Sequence, residues 1–120
     1  MSDDRSEPTT PTRRVLLREI AHARAGDKGN TSNVSVWAWD EGDYTLIKQQ
    51  LTAERIKAAF PDLIQGTVVR YELPHLAGLN FVMQDALEGG VNTSLNLDSH
   101  GKSWSYLVLG LSIELPQNRR

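Results

Sequence analysis

The stretch YTLIKQQLTAERIKAAFP, residues 44–61, decides how the rest of the chain is read. Tyr44, Ile47, Leu51, Ile56 and Phe60 recur at helical spacings, and Thr52 followed by Ala53 and Glu54 has the composition of a fresh N-cap inside the run. Two short helical pieces are therefore predicted, stopped by Pro61. Immediately upstream, over residues 33–39, Val34, Val36 and Ala38 alternate with Ser35, Trp37 and Trp39, the period of a strand with one aliphatic face and one face carrying two indoles. Immediately downstream, over residues 67–73, Val69, Tyr71 and Leu73 alternate with Val68, Arg70 and Glu72, a half-buried strand ended by Pro74. A helical segment between two strands of period two is the seed of an α+β fold.

Further outward the same periodicities continue. Residues 15–23 are rich in Val, Leu and Ile, which suits a strand partly covered on both faces. Over residues 76–87, Leu76, Leu79, Val82, Met83, Ala86 and Leu87 fall on one helical stripe that ends at Gly89-Gly90, so a second helix is predicted there. Val91, Thr93, Leu95 and Leu97 alternate with polar residues, and Leu107, Leu109, Leu111, Ile113 and Leu115 alternate after a turn, which predicts a hairpin of residues 91–97 with residues 103–115. The order strand, strand, helix, strand, helix, strand, strand gives an α+β sandwich with helices on one face of a mainly antiparallel sheet.

Composition narrows the function. A chain of 120 residues with 39% hydrophobic and 23% charged residues fits one domain with a modest core. Residues 15–116 read as that domain, residues 1–14 as a solvated, disordered tail without a secretory core, and residues 117–120 as a short C-terminal tail. The net charge of −2 lacks the basic stripe that nucleic-acid backbones require, and no run approaches a membrane span. The absence of cysteine removes disulfides, thiolate metal sites and a thiol nucleophile, and is compatible with a reducing cytoplasm, the expected location. Three sequons, at Asn30, Asn33 and Asn92, carry no weight without secretion.

Two segments concentrate chemistry. Arg24-Ala25-Gly26-Asp27-Lys28-Gly29-Asn30 sets three charges and two glycines between hydrophobic runs, and Asp98-Ser99-His100-Gly101-Lys102 repeats the mixture of carboxylate, glycine and lysine far downstream. Glycine lets the backbone approach a ligand closely, and Asp beside Lys brings a carboxylate and an ammonium into one small volume. Together with the run His22 to Gly29, Arg70-Tyr71-Glu72-Leu73-Pro74, Leu79-Asn80-Phe81-Val82, Gly89-Gly90, and Leu97-Asp98 followed by Gly101-Lys102-Ser103, these segments resemble the small domain of the acyclic terpene utilisation family, the AtuA-like ferredoxin-fold domain, from about Leu16 to Leu115. The resemblance implies a ferredoxin-like two-layer sandwich. It also implies a larger AtuA-type domain or subunit as companion, and hence a heteromer, a homo-oligomer or both.

The residues themselves point to an anion site: Lys28, Lys102 and Arg24, with backbone N–H groups of the glycine turns, could hold a phosphate or carboxylate. Gly26, Gly29, Asn30, Asn80, Gly89, Gly90 and Gly101 would shape that corner. Two classes of function follow. One is a non-catalytic binding subunit that docks through its open sheet face. The other is an acyl-thioester-processing enzyme of lyase or hydratase type with an anionic or acyl-CoA ligand, in which Asp27 or Asp98 is the general base and Lys28 or Lys102 the anion holder. No cofactor is implied. Gly101-Lys102-Ser103 resembles the end of a phosphate-binding loop, but Asn96 stands where that motif needs glycine, and no G-x-S-x-G elbow is present. His22, His75 and His100 lack the short spacings of a metal site; His22 and His100 approach one corner if the first and last strands are neighbours, and otherwise read as surface or hydrogen-bonded residues.

Overall fold

Two antiparallel sheets share one cluster of buried apolar side chains. The computed structural model describes residues 11–28, 31–86 and 104–117, with residues 27 and 28 as backbone only. Strand β1 (Thr12–Leu16) is followed by a 3-10 turn at Leu17–Glu19, then β2 (Ala21–Lys28) and β3 (Thr31–Ala38). Helices α1 (Tyr44–Gln50) and α2 (Ala53–Ala59) lead to β4 (Val68–Leu73) and β5 (Gly78–Gln84), and α3 (Trp104–Leu109) leads to β6 (Ser112–Pro116). The larger sheet has the order β2-β3-β5-β4, and β1 pairs with β6 in the smaller one.

Alternation decides which face of the large sheet is covered. Val34 and Val36 on β3 lie opposite Phe81 and Leu79 on β5, and all four are essentially inaccessible to water. Helices cover this side, so the expected α+β sandwich, with an antiparallel sheet and helices on one face, is observed. Each fully buried Leu, Val or Phe contributes on the order of 1.5–3 kcal/mol through burial. Edges are closed by side chains. The Gln50 amide donates to the Glu114 carbonyl at 2.9 Å and accepts from its N–H at 2.8 Å, imitating a strand against β6. Arg70 donates to the carbonyls of Lys48 at 2.6 Å and Leu51 at 3.0 Å, tying β4 to the end of α1.

The helical pieces fall where the sequence places them, with the Thr52 hydroxyl accepting from the Arg55 N–H at 3.1 Å and Pro61 following Phe60. Elsewhere the structure corrects the sequence. Residues 78–84, read as helix, form a strand paired on both edges. Leu79 and Met83 are four apart, which satisfies both periods, but Phe81, absent from the helical stripe, is fully buried. Residues 104–109, read as strand, are helical: Trp104 and Val108, four apart, face the core, and Trp104 meets Phe60 edge-to-face at 5.3 Å. The following strand is confined to Ser112–Pro116 and pairs with β1. Residues 91–97, its expected partner, lie outside the described residues.

Two smaller differences concern the N-terminal half. Pairing begins at Thr12, within the stretch read as a tail, and the 3-10 turn at Leu17–Glu19 sends residues 12–16 and 21–28 into different sheets. The segment from Arg24, read as a glycine turn, is strand as far as Lys28, so Gly26 pairs with Asn33 rather than forming a turn. Among the described residues a Cβ at Gly26 would touch only the Asn33 side chain, at 3.6 Å, an ordinary contact.

Candidate binding site

The uncovered face of the large sheet is built from the alternate residues of the same four strands. Register places His22, Trp37, Gly78 and Leu73 in one row across it, Arg24, Ser35, Asn80 and Tyr71 in the next, and Gly26, Asn33, Val82 and Val69 in a third. The first row is ordered by a missing side chain. A Cβ on Gly78 would stand 2.5 Å from Trp37 Cδ1, so the indole lies directly on the glycine backbone. His22 stacks on that indole with centroids 5.4 Å apart, and Trp39 stacks on His22 at 4.2 Å with the planes inclined by 30°. The result is a ladder of three rings at one corner of the face.

Beside the ladder opens a cleft of about 550 Å³ lined by His22, Arg24, Trp37, Ala38 and Leu76. Arg24 is exposed and, among the described residues, makes no ion pair or hydrogen bond. Leu76 is presented by the 3-10 turn Pro74–Leu76, which closes on Ala77, a non-glycine residue held at φ 52°. That left-handed backbone is fixed by two bonds, from the Ala77 N–H to the Pro74 carbonyl at 3.1 Å and from the Ala38 N–H to the Ala77 carbonyl at 3.0 Å. In the second row the Asn80 amide donates to the Ser35 hydroxyl at 2.7 Å.

Of the residues singled out in the sequence, Arg24, Gly26 and Asn80 share the open face, with Arg24 and Asn80 in one row separated by Ser35. Lys28 pairs with Thr31 four residues along β2 from Arg24, about 13 Å away along the strand. Asp27 pairs with Ser32, whose buried hydroxyl has no partner among the described residues. Gly29, Asn30, Gly89, Gly90, Asp98, Gly101 and Lys102 lie outside the described residues. A second hollow, about 610 Å³, runs between α2 and β4, but its Lys57 ammonium already donates to the carbonyls of Ile64 and Gly66. Among the described residues no group of three His, Asp or Glu side chains is placed to hold a metal ion, and no helix is long and apolar enough to cross a membrane.

His22 was the residue that reading by periodicity missed. The signal was present: Gly29-Asn30 is a two-residue hairpin composition, and a pairing symmetric about it brings His22 opposite Trp37.

The sequence model described as the AtuA ferredoxin-like domain matches residues 15–114. No curated protein and no solved structure matches the chain.

Proposed function

The chain belongs to the AtuA ferredoxin-like domain family, and we propose that it acts as a small binding subunit of a larger AtuA-type protein in acyclic terpene or acyl-CoA catabolism, with an anion-binding corner on its open sheet face. One observation supports this above the others. The face opposite the helices exposes Trp39 at 67%, Leu76 at 60%, Tyr71 at 53% and Val69 at 43%, together with the Arg24 guanidinium, which makes no ion pair among the described residues. Apolar groups of that size grouped on one side mark surfaces that a partner covers, and aromatic residues and Arg are the types enriched in the centres of interfaces.

The anion reading follows from Arg24, with Asn80 in the same row. The enzyme reading needs Asp27, Lys28, Asp98 and Lys102 to converge. No observation among the described residues favours it over the binding role.

The test is co-purification of a tagged chain from its source cell. A larger AtuA-type protein recovered in near-equal amount is the expected result. A chain recovered alone that also sediments as a monomer at high micromolar concentration would overturn the proposal.

A further inference from the structure

We infer that the cleft bounded by His22, Arg24, Trp37 and Leu76 binds a flat aromatic or heteroaromatic ring that carries a carboxylate or phosphate. This deepens the anion-binding reading of the open face, and it does not depend on the identity of the docking partner.

Three features at this one place specify the chemistry. One side is aromatic: His22 and the Trp37 indole, within 28° of parallel, both line the cleft, so a planar ring meets aromatic surface there. The exposed side chain of Leu76 also lines the cleft and supplies an apolar contact for the ring. The charge is Arg24, two residues from His22 on the same side of β2, whose planar fork suits a carboxylate or phosphate at the edge of the stacked ring. A cleft of about 550 Å³ suits one small molecule.

The backbone supports the same assignment. The indole can approach residue 78 this closely only because that residue has no side chain, and Leu76 is presented by a turn that closes through a left-handed alanine. Strained backbone of this kind persists where surrounding structure holds it, and it concentrates at ligand clamps.

The experiment is titration of the full chain with adenosine monophosphate and with 2-naphthoate, followed by tryptophan fluorescence and by the amide resonances of residues 22, 24, 37 and 76. Adenosine and inorganic phosphate serve as the ring without the anion and the anion without the ring. At least one of the two anionic rings should bind and shift those resonances, with its ring-only or anion-only counterpart markedly weaker. Arg24→Gln should weaken the anionic ring about tenfold or more, the loss expected for one charge-assisted contact, and should leave adenosine unchanged. Leu76→Ala should weaken whichever anionic ring binds, with the far-ultraviolet spectrum unaltered. Failure of both probes at about 10 mM, weaker than any functional ring site would be, overturns the inference, as does binding that Arg24→Gln leaves unchanged. Binding of inorganic phosphate as tightly as the anionic rings would also overturn it, while leaving the plain anion corner and the docking proposal intact.

Discussion

Replacing Gly78 with alanine adds one methyl group where the structure has no room for it. The new Cβ would lie 2.5 Å from Trp37 Cδ1 and 3.0 Å from both Trp37 Nε1 and the Val36 carbonyl oxygen, against the 3.4 Å at which ordinary contact begins. The indole must therefore retreat by about 0.9 Å, breaking its stack on His22, and overpacking of this kind costs about 1–3 kcal/mol. Alanine recovers about 0.5–1 kcal/mol of backbone entropy that glycine loses on folding, so a net loss of up to about 2.5 kcal/mol is expected. At roughly 4 °C per kcal/mol for a domain of this size, Tm falls by up to about 10 °C. Urea unfolding followed by circular dichroism gives the free energy, and the near-ultraviolet band reports the displaced indole. In a Trp37→Ala background the main clash disappears, so Gly78→Ala becomes close to neutral, and the cycle isolates a coupling of about 1 kcal/mol or more. Equal stability of Gly78→Ala and the parent chain, with the same effect in both backgrounds, would show that the indole does not lie across residue 78, and the ring ladder would fall with it.

Phe81→Ala should cost about 3–5 kcal/mol in urea unfolding, because the ring is fully buried in a central strand; a cost below about 1 kcal/mol would favour the helical reading of residues 78–84 instead. Thr52→Ala removes the oxygen that accepts from the Arg55 N–H and should cost about 1 kcal/mol, whereas Thr52→Ser should cost little, as thermal melts would show. The Glu114 carboxyl is held below its ordinary value by the hydrogen bond from Thr12, then by that from Arg14. A depressed folded value means that this contribution is present above the unfolded value and is lost as pH falls through the folded one. Amide exchange at Val15 and Ile113, after correction for intrinsic rate, should therefore quicken below about pH 4, and Glu114→Gln should flatten that dependence.

What was legible in the sequence was local. Thr52 and Pro61 delimit helices by bonds made or denied within a few residues, and Val34 and Val36 define a strand face by alternation alone. Residues 78–84 misled because Leu79 and Met83, four apart, obey both periods; only pairing with β3 and β4 on both sides made strand the better satisfied state. Residues 104–109 misled in reverse, since leucines at every second position hide the Trp104 and Val108 stripe that meets the core. Arg24 and Asn80 stood out by type, and the fold does put them in one row. The ring ladder was opaque because His22 and Trp37 meet through register, and because the decisive element is a side chain that Gly78 lacks.

The central claim is that the open sheet face is where a larger AtuA-type protein docks. Its most direct test compares tagged wild-type chain with a Val69→Lys, Tyr71→Lys double variant in co-purification from the source cell, with Tm measured on both. Both residues are exposed on strand β4, so the fold should tolerate the change. The account predicts that the wild type recovers the large protein and that the variant, with Tm nearly unchanged, does not. Equal recovery by the two chains would contradict it.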